Sequence, residues 1–204
     1  ALLFGMYNVG YQHFHATGAT GSFIEMFAYG FLAVLPKIIV SYVVGLGIEF
    51  VVAQWKKEEI QEGFLVSGIL IPMIVPVDCP LWILAVATAF SVIFAKEVFG
   101  GTGMNVFNVA LITRAFLFFA YPTKMSGDAV WVSGDSIFGL GQTVDGLTVA
   151  TPLGAAATAG AYPEFSWDMV TGLIPGSIGE TSVIAIALGA ILLLWTGIAS
   201  WKTM

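Results

Sequence analysis

The sequence predicts an all-α polytopic membrane protein, a helical bundle that contains broken or half helices. Hydrophobic residues make up 58% of the 204 residues and charged residues only 10%, well below the charged share of a soluble domain. Long apolar runs alternate with short polar turns, and helices satisfy their own backbone hydrogen bonds inside a bilayer. The 24 glycines favour close contacts between such helices. The ten-residue alternating pattern of a membrane β-barrel does not occur in the sequence.

The charge balance and the cysteine content exclude several classes of function. The formal net charge is −6, so the chain offers no basic surface for nucleic acid. The single cysteine, Cys79, excludes a disulfide framework and a metal site built on cysteine clusters, and we interpret it as an unreactive turn residue. The chain starts without Met and stops just after an apolar stretch, so we expect a fragment of a longer protein.

The N-terminal quarter predicts one clear membrane span, over residues 36–55. Residues 1–26 are expected to be the end of a truncated helix followed by an interfacial loop. Pro36 is expected to open the span, and Trp55 and the lysines that follow it to anchor its far end. At 1.5 Å per residue the span covers about 30 Å, the thickness of the hydrocarbon core.

Glu49 is a carboxylate inside this span, and helical spacing places Gly45 on the same face. A charge at this depth is costly unless it faces protein, water or a cation. Two interpretations stay open: Glu49 serves function, with Gly45 leaving space for a ligand beside it, or it is protonated or paired with Arg or Lys of a neighbouring helix.

Four further membrane spans are predicted after residue 55. The predicted ranges are 64–77, which Pro72 and Pro76 make short or broken, 81–99, 106–121 and 181–201. Ser177 and Glu180 fit a capping box before the last span. The glycine-rich link at 100–103 follows a membrane helix and not a strand, so it does not indicate a Rossmann fold.

Arg114 lies in the apolar stretch 106–121, where an unpaired guanidinium is expensive. It can clamp a carbonyl or a phosphate group, or it can form a structural pair with a carboxylate such as Glu97. Both interpretations predict a partner for its charge.

The loop at 122–180 is the best candidate for chemistry, and it centres on Thr151. Thr151 directly precedes Pro152 and a run of small residues, a pattern typical of an N-cap before a short helix over 152–159. A helix N-terminus also favours a phosphate ester on that threonine. If Lys56 and Lys57 are cytoplasmic and every span crosses once, the positive-inside rule places this loop outside.

Several motifs together resemble one family, the NqrB membrane subunits of the bacterial sodium-translocating NADH:quinone reductases. The RnfD subunits of the related Rnf complexes are a poorer match, especially at 114–122. The matching residues are 96–103 (KEVFGGTG), 114–122 (RAFLFFAYP), 126–128 (SGD), 145–146 (DG), 150–151 (AT) and 174–180 (IPGSIGE).

The resemblance implies a covalent flavin. In that family, the threonine that closes a Ser/Thr-Gly-Ala-Thr motif carries FMN through a phosphoester, so Thr151 is the implied attachment point. The motif here runs from Thr148, with Val149 in place of the usual glycine. Thr148 and Arg114 are further candidates for cofactor contact. Riboflavin is a second flavin that the chain would bind.

The resemblance also implies the substrates, the fold and the partners. Gly45 matches a position associated with quinone or inhibitor access, and Glu49 an acid associated with Na⁺ uptake. The implied fold is similar to one repeat of the urea transporters, in a multi-pass protein of the bacterial inner membrane. The sequence has no NADH-binding fold, so NADH oxidation is expected on another member of the complex. Membrane lipid and quinone are the remaining expected partners.

The implied function is electron relay from a partner protein of the complex to quinone, coupled to Na⁺ translocation. Two alternatives stay open. The broken helices are also typical of a passive solute or ion channel of the urea-transporter type. The second alternative is a scaffold that only anchors the other members of the complex.

Overall fold

The fold is all-helical, as the composition predicts. The computed structural model describes residues 1–57, 59, 62–160, 162 and 165–202, and within these ranges no β-strand forms; one isolated antiparallel bridge joins Ile137 and Leu140. The described helices are α1 (Leu2–Thr17), α2 (Phe23–Lys56), α3 (Phe64–Ile74), α4 (Leu81–Ser91), α5 (Val109–Ala120), α6 (Pro122–Met125), α7 (Pro152–Ala159), α8 (Trp167–Thr171) and α9 (Val183–Trp195).

Helix α2 begins well before the predicted span. A capping box starts it: the Ser22 N–H donates to the Glu25 carboxylate at 2.6 Å, and the Glu25 N–H donates to Ser22 Oγ at 3.4 Å. Pro36 therefore lies inside the helix and does not open it. Proline removes one backbone donor, a loss that a helix of 34 residues tolerates, and the Lys37 ammonium donates to the Ala33 carbonyl in the same turn at 3.1 Å.

Helix α1 packs along the first half of α2 through two glycines. A side chain on Gly10 would overlap the Met26 backbone, and one on Gly30 would overlap the Met6 carbonyl. The two backbones touch at these positions, as small residues allow in membrane helices. The helix expected in residues 1–26 is α1, whereas the expected interfacial loop is only the short link at 18–22, because α2 begins at Phe23.

Helices α2 to α5 surround a hydrophobic core separate from the α1–α2 contact. Its central side chains are Phe64, Ile71, Leu84 and Leu117. Helix α3 ends at Ile74, before Pro76, so the segment predicted as short or broken is short. Helix α4 continues as a π-helix over Val92–Lys96 and a 3₁₀ turn over Glu97–Phe99. A π-helix turns the following side chains relative to a regular α-helix, and here Lys96 lies inside, 3% exposed.

Other boundaries move by a few residues for identifiable reasons. Helix α5 starts at Val109 because the Asn108 side chain caps it, accepting from the Ala110 N–H at 2.9 Å. The capping box predicted at Ser177 and Glu180 is wrong: Ser177 Oγ donates to the Glu180 carboxylate instead, at 2.6 Å. Ser182 caps α9, which spans only Val183–Trp195 of the predicted 181–201.

Two described helical segments are long and apolar enough to cross a membrane. They are Phe23–Lys56 and Leu81–Phe99, the second being α4 with its π and 3₁₀ continuation. Three shorter apolar helices, α3, α5 and α9, accompany them. At 1.5 Å per residue α2 is about 51 Å long, so it extends beyond a hydrocarbon core of about 30 Å.

Candidate functional site

Thr151 lies at the start of α7, as the sequence predicts. Its backbone is extended and its hydroxyl oxygen accepts from the Gly154 N–H at 3.1 Å, which is the geometry of an N-cap. Pro152 occupies the first helical turn, and the helix ends at Ala159. The predicted short helix over 152–159 is thus confirmed, and Thr151 presents its hydroxyl at the positive end of the helix dipole.

A cavity of about 390 Å³ opens beside Thr151. Its volume lies within the range of about 300–1,000 Å³ that is typical of small-molecule sites. Most of its surface is apolar, with a polar edge near the start of α9. The residues that line it are Trp131, Thr151, Pro152, Leu153, Met169, Ile174, Pro175, Gly176, Ser177, Glu180 and Thr181.

The polar edge of the cavity is held by Arg114, although Arg114 does not line it. Its guanidinium donates to the Ile74 carbonyl at 2.6 Å, at the C-terminal end of α3, and lies 3.5 Å from Glu180 Oε2. Arg114 thus contacts a carbonyl and pairs with a carboxylate, in agreement with both interpretations, but the carboxylate is Glu180 and not Glu97. Glu97 instead lies 3.6 Å from the ammonium of Lys56.

The loop that carries the cavity is fixed to the helices by His13, which is fully buried. His13 Nδ1 lies 2.7 Å from the Ser133 carbonyl, and Nε2 lies 3.2 Å from the Gln142 amide. A carbonyl only accepts and a backbone N–H only donates, so Nδ1 donates to Ser133 and Nε2 accepts from Gln142. Tyr29 stacks on this ring at 4.1 Å and donates to the Asp135 carbonyl at 2.6 Å.

The turn between α3 and α4 also contacts the loop. Its Asp78 N–H donates to the Val130 carbonyl at 3.4 Å. Burial raises the pKa of the Asp78 carboxyl, against the opposing effects of a hydrogen bond with Ser133 and of the Lys37 charge. Burial likewise raises the pKa of the Cys79 thiol. The Cys79 side chain is buried and protonated, which agrees with an unreactive turn residue.

Glu49 is buried and paired inside the helices. Its Oε1 accepts from the Lys96 ammonium, and both side chains are 4% exposed. The other carboxylate oxygen, Oε2, is buried and has no hydrogen-bond partner among the described residues. Of the two interpretations of Glu49, the structure shows a pair with a lysine of a neighbouring helix. The Lys96 ammonium also lies 6.0 Å from the centre of the Phe64 ring.

The space beside Gly45 is filled by the chain itself. A side chain on Gly45 would overlap the ring of Phe64, the first residue of α3. Phe64 is fully buried. The space that the sequence predicts for a ligand beside Gly45 is thus occupied by the ring of Phe64.

The structure separates the predicted site residues into two groups. Thr151 lines the cavity and Arg114 lies behind it, joined to the lining residue Glu180, whereas Gly45 and Glu49 lie in the helical core beside Phe64 and Lys96. Thr148 is exposed and does not line the cavity.

The sequence did not predict the roles of three side chains: Trp131 in the cavity wall, His13 in anchoring the loop, and Phe64 beside Gly45. Their sequence signal is weak, because each is an aromatic residue within an already apolar or aromatic stretch.

Comparisons with known proteins agree on one family. A model of the NQR2, RnfD, RnfE family matches residues 1–204. The NqrB subunit of the Na(+)-translocating NADH-quinone reductase of Chromohalobacter salexigens is 41% identical over 225 residues, covering 100% of this chain and 53% of that protein. The proteins of the same name from Ectopseudomonas mendocina and Pseudomonas aeruginosa are 40% and 39% identical, each covering 99% of this chain and 55% of the relative. The chain thus spans about half the length of these relatives.

Proposed function

Because this chain belongs to the NQR2, RnfD, RnfE family, we propose that it is part of the membrane subunit of a sodium-translocating NADH:quinone reductase. The relatives reported above carry the name of the NqrB subunit of that enzyme, which favours this function over that of RnfD. Family membership and the two apolar helices point to a membrane protein of bacteria. The bacterial inner membrane, with the loop 122–180 on its outer side, is the proposed location.

The single observation that carries the proposal is the cavity at Thr151. The hydroxyl lies at the N-terminus of α7, where the helix dipole favours a phosphate. The cavity beside it has the size and the apolar lining of a small-molecule site. These residues fit an FMN joined to Thr151 through its phosphate, with the ring in the cavity and the Glu180 edge near it.

When bound, FMN supplies one-electron and two-electron transfer, and the protein supplies its position and its surroundings. Thr151 fixes the phosphate end, while Arg114 and Glu180 place one positive and one negative charge at the cavity edge. NADH oxidation would take place on another member of the complex. A riboflavin site and the identity of the quinone are parts of the proposal that rest on the resemblance alone.

Glu49 is proposed as the carboxylate for Na⁺ uptake. Its Oε2 is a buried oxygen without a hydrogen-bond partner among the described residues, and oxygen is the ligand that hard cations prefer. Lys96 supplies the positive charge at Oε1. A sodium ion would therefore compete with an ammonium for the carboxylate. In the same region, Gly45 is the proposed entry point of quinone, and Phe64 is the side chain that a quinone ring would have to displace.

The test uses the full-length chain, produced together with a flavin transferase and separated on a denaturing gel. We expect a fluorescent flavin band for the wild-type chain and none for Thr151→Ala. Thr158→Ala is the matched control, because Thr158 is exposed and lies outside the cavity, and it should keep the band. A band that survives in Thr151→Ala would remove the assignment, and solute flux through flavin-free protein in liposomes would favour the channel instead.

A further inference from the structure

Trp131 gives the cavity its one aromatic wall among the described lining residues. Its indole is half-buried and lines the same cavity as Thr151. The valines on either side of it, Val130 and Val132, are 4% and 3% exposed and anchor the segment in the protein interior. The indole therefore belongs to the cavity, whereas its two neighbours belong to the core.

The backbone around Trp131 is held at several points. The Val130 carbonyl accepts from the Asp78 N–H at 3.4 Å, and the Ser133 carbonyl accepts from His13 Nδ1 at 2.7 Å. The Asp128 carbonyl accepts from the Val149 N–H at 2.9 Å, which joins this segment to the residues just before Thr151. The Asp128–Val149 bond thus links the segment of Trp131 to that of Thr151, and the other two bonds anchor the Trp131 segment to α1 and to the turn between α3 and α4.

The remaining lining sorts into aliphatic and polar parts. Leu153, Met169 and Pro175 are apolar, and Ser177 and Glu180 form the polar edge. A flat aromatic ligand in this cavity can stack on one aromatic side chain of the lining, the indole of Trp131. Aromatic rings in contact favour offset stacking, and tryptophan offers the largest face for it.

We propose that Trp131 is the surface on which the isoalloxazine ring of a flavin carried by Thr151 stacks. This inference rests on the proposed function, since it requires the flavin to be attached at Thr151. It goes further by naming the side chain that positions the ring. Thr151, at the start of α7, would hold the phosphate end, and Trp131 would hold the ring.

Flavin fluorescence in the folded protein tests this stacking directly. An indole stacked on an isoalloxazine quenches its emission, and denaturation removes the contact while the phosphoester keeps the flavin on the chain. The full-length wild-type chain with covalent flavin should therefore gain fluorescence severalfold on denaturation. In Trp131→Leu the folded protein should already be bright, so that denaturation adds little. Trp131→Phe keeps a ring with weaker quenching and should fall between the two.

Trp167→Leu is the matched control. Trp167 belongs to the same loop region and is 75% exposed, but it does not line the cavity, so its variant should keep the wild-type ratio. Trp131→Phe preserves most of the side-chain volume and gives a readout even if the leucine variant fails to fold.

Two results would overturn the inference, and they separate it from the proposed function. If Trp131→Leu and Trp131→Phe carry covalent flavin with the wild-type ratio, Trp131 does not stack on the ring, and the attachment at Thr151 stands. If the wild-type chain carries no covalent flavin on a denaturing gel, the attachment and the stacking both fall.

Discussion

The Glu49 site inside the helices and the Thr151 site in the loop differ in what already occupies them. At Glu49 the chain supplies its own cation, Lys96, and its own ring, Phe64, which fills the space beside Gly45. At Thr151 a cavity of about 390 Å³ is left open beside the hydroxyl. One site is closed by side chains of the protein, and the other is a preformed cavity.

This difference follows from the surroundings of each site. A carboxylate in an apolar interior must be neutralised in every state that is well populated, because an unpaired buried charge is expensive. A cavity at the edge of a loop carries no such cost, since water can enter it. We therefore expect a ligand at Glu49 to require rearrangement of Lys96 and Phe64, whereas a flavin at Thr151 requires little.

Removing Lys96 should have the largest effect on stability. Lys96→Met leaves the Glu49 carboxylate buried without its partner, and breaking a buried pair costs about 3–5 kcal/mol. Thermal unfolding of the full-length chain in detergent would measure this loss. Lys56→Met is the control, because Lys56 pairs with Glu97 at a partly exposed position, and such pairs contribute about 0–1 kcal/mol.

The double variant Lys96→Met with Glu49→Gln tests whether the unpaired Glu49 charge causes this loss of stability. It removes both charges, so it should regain most of the stability that Lys96→Met loses. If Lys96→Met unfolds at the same temperature as the wild-type chain, the Glu49 carboxylate does not depend on Lys96 for neutralisation. The Glu49 site would then not be closed by its own ion pair.

A side chain at Gly45 should have the next largest effect. Gly45→Ala places a methyl group where the Phe64 ring lies, and overpacking a filled core costs about 1–3 kcal/mol. Gly47→Ala is the matched control in the same helix: nothing lies within 4 Å of its added carbon, and alanine favours the helix by about 0.5–1 kcal/mol. Thermal unfolding of both variants gives the comparison, and equal midpoints would show that Phe64 does not fill the space.

The local structure at Thr151 was easier to predict from the sequence than the surroundings of Glu49, and the reason is locality. The Thr151 cap and the helix over Pro152–Ala159 depend on neighbours within a few residues, so their pattern is visible in the chain. The pair of Glu49 with Lys96 joins residues 47 positions apart. The sequence offered a lysine or arginine partner as one of two interpretations but could not choose the residue.

The fold shows the same division. The all-helical class follows from composition, and the end of α3 follows from its prolines. The start of α2 differs from the predicted one because the capping box at residues 22–25 begins the helix, and Pro36 lies inside it. The π-helix that contains Lys96 has no short sequence signature, and neither does the position of Trp131 and Glu180 in the cavity wall.

Removing the Thr151 hydroxyl should have a smaller and more local effect than either core change. Thr151→Ala loses the N-cap of α7, worth about 1 kcal/mol, while Thr151→Ser keeps the oxygen that accepts from Gly154. Hydrogen exchange of the α7 amides should therefore accelerate in the alanine variant only. Thr158→Ala, which changes an exposed threonine near the other end of α7, is the control. Unchanged exchange in Thr151→Ala would show that the hydroxyl does not hold the helix start.

Neutralising Glu180 should have the smallest effect on stability. This substitution tests whether the cavity beside Thr151 depends on the ion pair of Glu180 with Arg114. Both partners are partly exposed, with side-chain exposures of 37% for Arg114 and 54% for Glu180, so Glu180→Gln should cost less than about 1 kcal/mol and less still at high salt. Arg114→Gln should cost more, because it also removes the hydrogen bond to the Ile74 carbonyl at the end of α3. Thermal unfolding at low and high salt separates the two contributions. If Glu180→Gln costs as much as Lys96→Met, the cavity edge is held by charge like the helical core, and the contrast between a closed and a preformed site fails.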